Sequence, residues 1–313
     1  MRRAASRRCV EIVVKIDQCH FGDCRESMRG MIAAGLRAQT IVTSPPYWGL
    51  RDYGVSGQIG QESSPREYVA ALIEVFALAR ALLADDGTLW LNLGDSYAGS
   101  WGNYGGRNRG AGTQRAIHKG SSVQGRAERY GSFIPPGVRG CREWGIKPKD
   151  LAGIPWRVAL ALQAEGWYLR QDIVWHKPNP MPESVADRCT KAHEYVFLMT
   201  KRERYYFDQE AIQEPAAGGG PAGMRRRRSV WTVPTAGGRG ARFAVFPPAL
   251  VRPCILAGSR PGDIVFDPFL GSGTTARVAL SLGRHWIGCE LNASYLDLQP
   301  AGTRPPGLPP DVF

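Results

Sequence analysis

Asp263-Ile264-Val265-Phe266-Asp267-Pro268-Phe269-Leu270-Gly271-Ser272-Gly273-Thr274-Thr275 decides the fold. A short apolar run stops at an acid and a proline, turns through two glycines and enters a helix. Gly271 and Gly273 let the backbone turn sharply and approach a ligand with no Cβ in the way. Thr274 or Thr275 is placed to cap the next helix. A strand, a glycine turn and a helix in this order form part of a parallel crossover unit, which binds ligands at the strand's C-terminal end.

The same rhythm runs outward in both directions. Downstream, a helix over Thr274 to Leu282 leads to a strand over His285 to Cys289; upstream, a helix over Pro247 to Ala257 precedes the loop. Pro65 to Leu83 is the most regular helix, with Tyr68, Leu72, Val75, Phe76, Ala79, Leu82 and Leu83 at helical spacing. Asp85-Asp86-Gly87 closes it before a strand over Thr88 to Leu93. Further strands are expected at Val10 to Ile16, Thr40 to Thr43, Arg170 to Trp175 and Glu194 to Thr200, with a turn at Gln18 to Cys24 and helices at Glu26 to Leu36 and Ile154 to Gly166. Alternating helices and strands predict an α/β fold, a parallel sheet with crossover helices.

The glycine loop carries neither G-x-G-x-x-G nor a P-loop lysine. An acid at its mouth, Asp267, would repel phosphate and suit a cationic ligand. The next strand ends in Glu290, placed to accept both ribose hydroxyls. A nucleoside with a cationic tail describes S-adenosylmethionine.

A second stretch, Thr43-Ser44-Pro45-Pro46-Tyr47-Trp48, comes directly after the strand at Thr40. Two prolines end that strand, since each lacks an N–H and fixes φ, and the first pushes Ser44 to an extended conformation. The expected result is a rigid strand-end loop that points a hydroxyl, two proline carbonyls and an aromatic ring outward. That suits a flat molecule bearing an NH2 group, such as a nucleobase.

Among 313 residues, 40 Lys+Arg against 28 Asp+Glu give a net charge of +12, which favours a polyanionic partner. The seven cysteines are dispersed, with no C-x-x-C and no zinc spacing. They read as reduced buried thiols of a cytoplasmic protein, with no metal site. No signal peptide and no apolar run long enough to span a membrane is present.

The two motifs together resemble the amino-methylating DNA methyltransferases, which modify cytosine N4 or adenine N6. Ser44-Pro45-Pro46-Tyr47 matches their [DNS]-P-P-[YFW] tetrapeptide, and Asp267 to Thr275 matches their D-P-F-x-G-x-G-T-T loop. The tetrapeptide comes first, as in the circularly permuted β group; RNA and protein methyltransferases with a similar tetrapeptide have the reverse order. A non-catalytic DNA-binding relative is disfavoured because both motifs are intact. The resemblance also takes in Asp172 to Pro178, His193 to Leu198 and Phe246-Pro247-Pro248.

That resemblance implies a class I methyltransferase fold, a doubly wound seven-stranded sheet with one antiparallel strand, over residues 10–298. It implies S-adenosylmethionine held by Asp23, Asp267, Pro268, Phe269, Gly271, Ser272, Gly273, Thr274, Thr275 and Glu290. The catalytic set is Ser44, Pro45, Pro46 and Tyr47: the Ser44 hydroxyl and Pro45 carbonyl accept from the amine, Tyr47 stacks on the flipped ring, and Pro46 fixes the turn. Ser44 in first place resembles cytosine-N4 enzymes, with adenine N6 the alternative. Double-stranded DNA is the expected partner, with a homodimer and a cognate restriction endonuclease as further expectations.

Two irregular segments are candidate recognition loops. Residues 96–142 carry eight Lys/Arg with Glu128 as their acid, and Arg107, Arg109, Arg115, Lys119, Arg126 and Arg129 are expected to meet DNA. Residues 208–241 contribute Arg225, Arg226 and Arg227, and Lys177 is placed to touch phosphate. The ends, 1–9 and 299–313, are expected to be disordered tails.

Overall fold

The computed structural model describes residues 15–98, 145–147, 149–216, 223–235 and 246–300. Helices are α1 (Cys24–Ala33), α2 (Pro65–Leu82), α3 (Ile154–Ala164), α4 (Pro248–Gly258) and α5 (Thr274–Ser281). Strands are β1 (Gln18–Phe21), β2 (Ala38–Thr43), β3 (Leu83–Leu93), β4 (Tyr168–His176), β5 (His193–Thr200), β6 (Glu214–Pro215), β7 (Met224–Arg225), β8 (Val230–Thr232), β9 (Ile264–Asp267) and β10 (His285–Glu290).

One sheet runs β1-β10-β9-β2-β3-β5-β4-β8. β5 is antiparallel to both its neighbours and every other pairing in this sheet is parallel. This is the expected doubly wound sheet with one reversed strand, extended by a short eighth strand at the edge, β8. The chain begins its sheet at one edge, β1, and inserts its last two strands, β9 and β10, between β1 and β2. Helices α1, α2 and α3 cover one face, where Met28, Tyr68, Leu72, Phe76 and Val158 are buried. On the other face α4 and α5 pack with Val251, Ile255 and Ala276 against Trp90, Trp231 and Trp286.

Local chemistry sets the element ends. Ser64 caps α2 by accepting from Glu67 N at 3.2 Å, with Pro65 in the first turn. The expected loop at Asp85-Asp86-Gly87 is instead part of β3, whose register against β2 jumps from Ala38↔Leu83 to Thr40↔Thr88. The extra residues form a bulge.

The first strand of the described residues is not one that was expected. Residues 10–14 lie outside the described set, and the strand is Gln18–Phe21, where a turn was expected. Asp17 (φ 58) accepts from Trp286 N at 3.0 Å and starts the pairing with β10. Only Cys19 of this edge strand is buried, so it lacks an apolar signature.

Cys19, Cys24, Cys254 and Cys289 are buried as expected, whereas Cys189 is exposed. Gln299, expected in the C-terminal tail, is instead buried and donates to the Gly271 carbonyl at 2.9 Å, while residues 301–313 and 1–9 lie outside the described residues. Among the described residues no helix is long and apolar enough to cross a membrane.

A candidate active-site cleft

The C-terminal ends of β1, β2, β4, β9 and β10 and the N-terminal end of β5 border one cleft, as expected for an open parallel sheet. Its lining includes Ser44, Pro45, Pro46 and Tyr47 from the tetrapeptide, and Pro268, Phe269, Gly271 and Ser272 from the glycine loop. Asp23 and Glu290 line it as well.

Glu290 stands at the end of β10 with one carboxylate oxygen on Gly271 N and the other on Asn292 N, each at 2.8 Å. Every carboxylate oxygen has more than one lone pair, so each can still accept a hydroxyl. Burial raises the pKa of this carboxyl above the ordinary range. Gly22 (φ +126) and Gly271 (φ +54) adopt left-handed conformations, and a Cβ on Gly22 would meet no protein atom. The cradle is therefore open backbone beside two rings, Tyr53 and Tyr295. Asp23 caps α1 through Arg25 N and pairs with the Arg25 side chain at 2.6 Å. Arg25 holds its carboxyl below the usual range. Its capping role and its place in the lining coexist.

Asp267 is not at the mouth. It is fully buried, accepting from Thr43 Oγ1 at 2.6 Å, Thr275 Oγ1 at 2.7 Å and Phe269 N at 3.0 Å. Burial pushes its carboxyl up to about 6. Neither threonine caps α5: Gly273 (φ +82) is the N-cap, Thr275 serves Asp267, and Thr274 accepts from Arg277. Gly273, Thr274 and Thr275 lie behind the lining, Gly273 closely packed on Pro300 and Gln299. These residues form the joint that aims Phe269 and Gly271.

The tetrapeptide is likewise tied down from behind. Trp48 donates to the Glu62 carbonyl at 3.0 Å, and Tyr68 Oη donates to the Pro46 carbonyl at 2.9 Å. Only one of the two proline carbonyls expected to face outward, that of Pro45, is without a hydrogen bond among the described residues. Tyr47 Oη donates to Glu194 Oε2 at 2.7 Å, with Asn92 Oδ1 at 3.1 Å and Ser44 Oγ at 3.4 Å. Burial and the neighbouring Glu194 charge keep this phenol protonated. Asn92 Nδ2 donates to Glu194 Oε2 at 3.2 Å and to the Tyr195 carbonyl at 3.1 Å. Sequence reasoning gave Asn92 and Glu194 no role. The signal was a polar residue inside the buried strand Leu89-Trp90-Leu91-Asn92-Leu93 and an acid opening an otherwise apolar one.

The expected DNA contacts divide into three groups. Arg107, Arg109, Arg115, Lys119, Arg126 and Arg129 lie outside the described residues. Lys177 is turned into the cleft, where its ammonium pairs with Glu194 and lies 4.3 Å from the Trp175 ring centroid, rather than standing solvated at the surface. Arg225, Arg226 and Arg227 precede β8, which runs parallel to β4 towards the cleft, so they stand at the far end. Arg226 and Arg227 line a separate hollow with Arg170 and Gln171, roughly 20 Å along β4 from Lys177 by strand rise. Arg225 is bound to Glu214 at 3.0 Å. Thr235, within the second irregular segment, and Phe246, beyond its end, both reach the cleft.

Comparison with known proteins agrees with this geometry. Residues 38–299 match the family model described as DNA methylase, that of N6 and N4 methyltransferases. The type II methyltransferase M.Cfr9I of Citrobacter freundii is 49% identical over 277 residues, covering 88% of this chain and 84% of that protein. M.SmaI of Serratia marcescens, also a type II methyltransferase, is 47% identical, covering 94% and 92%. Among solved structures, the cytosine-N4-specific PvuII DNA methyltransferase shares the fold with a TM-score of 0.59 at 20% identity, covering 90% of this chain and 83% of that one. A DNA modification methylase of Thermus thermophilus, solved with S-adenosyl-L-methionine, gives 0.54 at 21%, covering 90% of both chains. With its two motifs brought to one cleft and the family match spanning most of its length, this chain belongs to the N6/N4 DNA methylase family.

Proposed function

We propose that this DNA methylase transfers a methyl group from S-adenosylmethionine to the N4 amine of a cytosine flipped out of a specific duplex site. The observation that carries the reading is the joining of Ser44-Pro45-Pro46-Tyr47 and the Phe269–Ser272 turn in one cleft. Flipping costs a few kcal/mol, and a preformed, rigid amine pocket offsets that cost.

S-adenosylmethionine supplies an electrophilic methyl on a sulfonium, which leaves as the neutral thioether. Glu290 holds the ribose hydroxyls, Asp23 faces the adenine, and Phe269, Gly271 and Ser272 cradle the methionine end. Ser44 Oγ and the Pro45 carbonyl accept the two amine hydrogens, which turns the N4 lone pair towards the methyl. Tyr47 stacks on the base, its hydroxyl anchored by Glu194 and Asn92. The surplus proton on N4 leaves through Ser44 Oγ, behind which stand Tyr47 Oη and Glu194. Catalysis rests on positioning, with no covalent enzyme intermediate. No cysteine follows a proline in the cleft; Pro253-Cys254 is buried inside α4.

Cytosine is favoured over adenine by the serine in first place, since adenine-N6 members of the family usually carry Asp there. Net charge of +12 supports DNA as substrate, and the type II relatives support pairing with a cognate endonuclease. Nucleoside analysis of DNA methylated by the purified protein tests the reading. N4-methyldeoxycytidine is the expected product, and N6-methyldeoxyadenosine would replace cytosine with adenine.

A further inference from the structure

Lys177 comes directly after β4 and sits beside the amine pocket. Its side chain is 17% exposed and that of Glu194 15%, so the ion pair is largely removed from solvent. Glu194 Oε1 takes one ammonium hydrogen, and the Trp175 ring, 4.3 Å away, favours the charge without accepting a directed bond. An ammonium carries three donors. Among the described residues, no acceptor other than Glu194 takes a hydrogen from it.

The same cleft is rich in acceptors at its amine end: Ser44 Oγ, the Pro45 carbonyl, Asn92 Oδ1 and Glu194. Donors there are already engaged. Tyr47 Oη serves Glu194, Asn92 Nδ2 serves Glu194 and Tyr195, and Thr235 Oγ1 faces the Asn179 carbonyl at 3.5 Å. Arg25 is held by Asp23 and Glu74, and Arg51 acts on Tyr53 and Tyr295 at the cofactor end. Among the described residues that line the amine end of the cleft, Lys177 is the side chain with ammonium hydrogens left to donate.

Cytosine presents along one edge an amine, a ring nitrogen and the O2 carbonyl. Adenine presents an amine, a ring nitrogen and a C–H. With the amine on Ser44, the end of the edge that differs is a carbonyl needing a donor. The chain Ser44–Tyr47–Glu194–Lys177 places that donor a few hydrogen-bond lengths from Ser44. We propose that Lys177 donates to O2 of the flipped cytosine and thereby selects cytosine over adenine. The inference rests on the cytosine-N4 reading. Glu194 has two tasks: it aims Lys177 and anchors Tyr47.

The test needs a duplex bearing the site mapped by sequencing plasmid DNA that the enzyme has methylated. The target is either cytosine or a 2-aminopyridine C-nucleoside, which keeps the amine and adjacent ring nitrogen but lacks O2. Wild-type enzyme should lose at least tenfold in kcat/KM on the analogue, as for a lost hydrogen bond to a charged group. Lys177→Met should treat the two substrates alike, while Lys177→Arg keeps part of the discrimination and S-adenosylmethionine affinity stays unchanged in both. Equal rates of wild type on the two targets would overturn the proposal without any variant. So would full discrimination by Lys177→Met, or a uniform loss with a shallower salt dependence, which marks a phosphate contact. A wild-type product of N6-methyladenine would remove the cytosine reading itself, an outcome separate from these.

Discussion

Thr43 and Asp267 stand 224 residues apart in the chain and 2.6 Å apart in the fold, Oγ1 donating to Oδ1. This bond joins the strand that ends in the tetrapeptide to the strand that ends in the glycine loop. Thr275 holds the other oxygen at 2.7 Å, so one buried carboxylate sets the spacing between the tetrapeptide and the glycine loop.

That carboxylate gives a pH signature. Burial raises Asp267 from 3.8 to about 6, so the folded protein keeps a proton over a range where the unfolded chain has lost it. The group's stabilisation is complete below about pH 4 and is lost as pH rises to about 6. Asp267→Asn has no such loss and retains an oxygen for Thr43 and Phe269. Between pH 4 and 7 its stability should rise relative to wild type by up to about 3 kcal/mol, read from denaturant melts. Parallel stability curves for the two proteins would refute this.

Ser44→Ala and Tyr47→Phe separate the two parts of the amine pocket. Ser44→Ala removes the acceptor itself, and methyl transfer should fall by about 10²-fold or more, on the scale of a lost transition-state hydrogen bond. Tyr47→Phe keeps the ring but unties it from Glu194 Oε2, which Asn92 still holds, and about a tenfold loss in kcat is expected from the loosened stack. Both should bind S-adenosylmethionine as wild type does by calorimetry. Near-normal transfer by Ser44→Ala would remove that residue from the mechanism.

The helices and inner strands were legible because their periodicity is set by burial: Tyr68, Leu72, Val75, Phe76 and Ala79 are all fully buried. β1 was not, since an edge strand with only Cys19 buried needs no apolar pattern. The motifs located the cleft, yet gave Asp267 the wrong place within it. A D-P pair at a strand end cannot announce that Thr43, from a distant strand, will occupy its oxygens. Lys177 was misplaced for the same reason: its partner Glu194 comes from a neighbouring strand. The arginine run at Arg225 carries no mark of strand direction, which puts it at the end of the sheet away from the cleft.

Glu290 should make cofactor binding pH dependent. Its protonation removes the charge and turns one of the two ribose-facing oxygens into a donor, and burial moves that protonation above the usual carboxylate range. S-adenosylmethionine affinity should therefore weaken as pH falls towards mild acidity, before ordinary surface carboxylates titrate. Glu290→Gln should bind at least tenfold more weakly at neutral pH and show a flatter profile. A wild-type profile that stays flat through this range would exclude Glu290 as the ribose acceptor.

Removal of residues 102–137 tests where the site is read. That stretch lies outside the described residues, but its flanks are tied independently of it. Ala98 N donates to the Asp150 carbonyl at 2.8 Å, and Ala152 N to the Ser96 carbonyl at 2.8 Å. Asp95 also accepts from Ile154 N at 3.0 Å, at the start of α3. With the flanks joined by a short glycine linker, the protein should fold and bind S-adenosylmethionine while losing site-specific methylation. Unchanged site preference in sequenced reaction products would assign recognition elsewhere, with the segment between Thr235 and Phe246 next in line.

Gly94, just after β3, is the backbone on which Tyr47 rests. A Cβ there would lie 2.5 Å from Tyr47 Cε2, closer than that contact allows, and a tight 3.3 Å from Glu194 Cδ. The ring must shift, because Glu194 is itself held by Lys177 and Asn92. Gly94→Ala should therefore lower kcat by tenfold or more, with a destabilisation of about 1–3 kcal/mol typical of overpacking. S-adenosylmethionine affinity should be unaffected, since Glu290 and Gly271 make no contact with this corner. A second change that unties the ring from Glu194 and lets it shift, Tyr47→Phe on the Gly94→Ala background, should cost less than the sum of the two single losses, as neighbouring sites couple. Strict additivity of the two, or wild-type kcat in Gly94→Ala, would show that transfer does not depend on where Gly94 and Glu194 hold the ring.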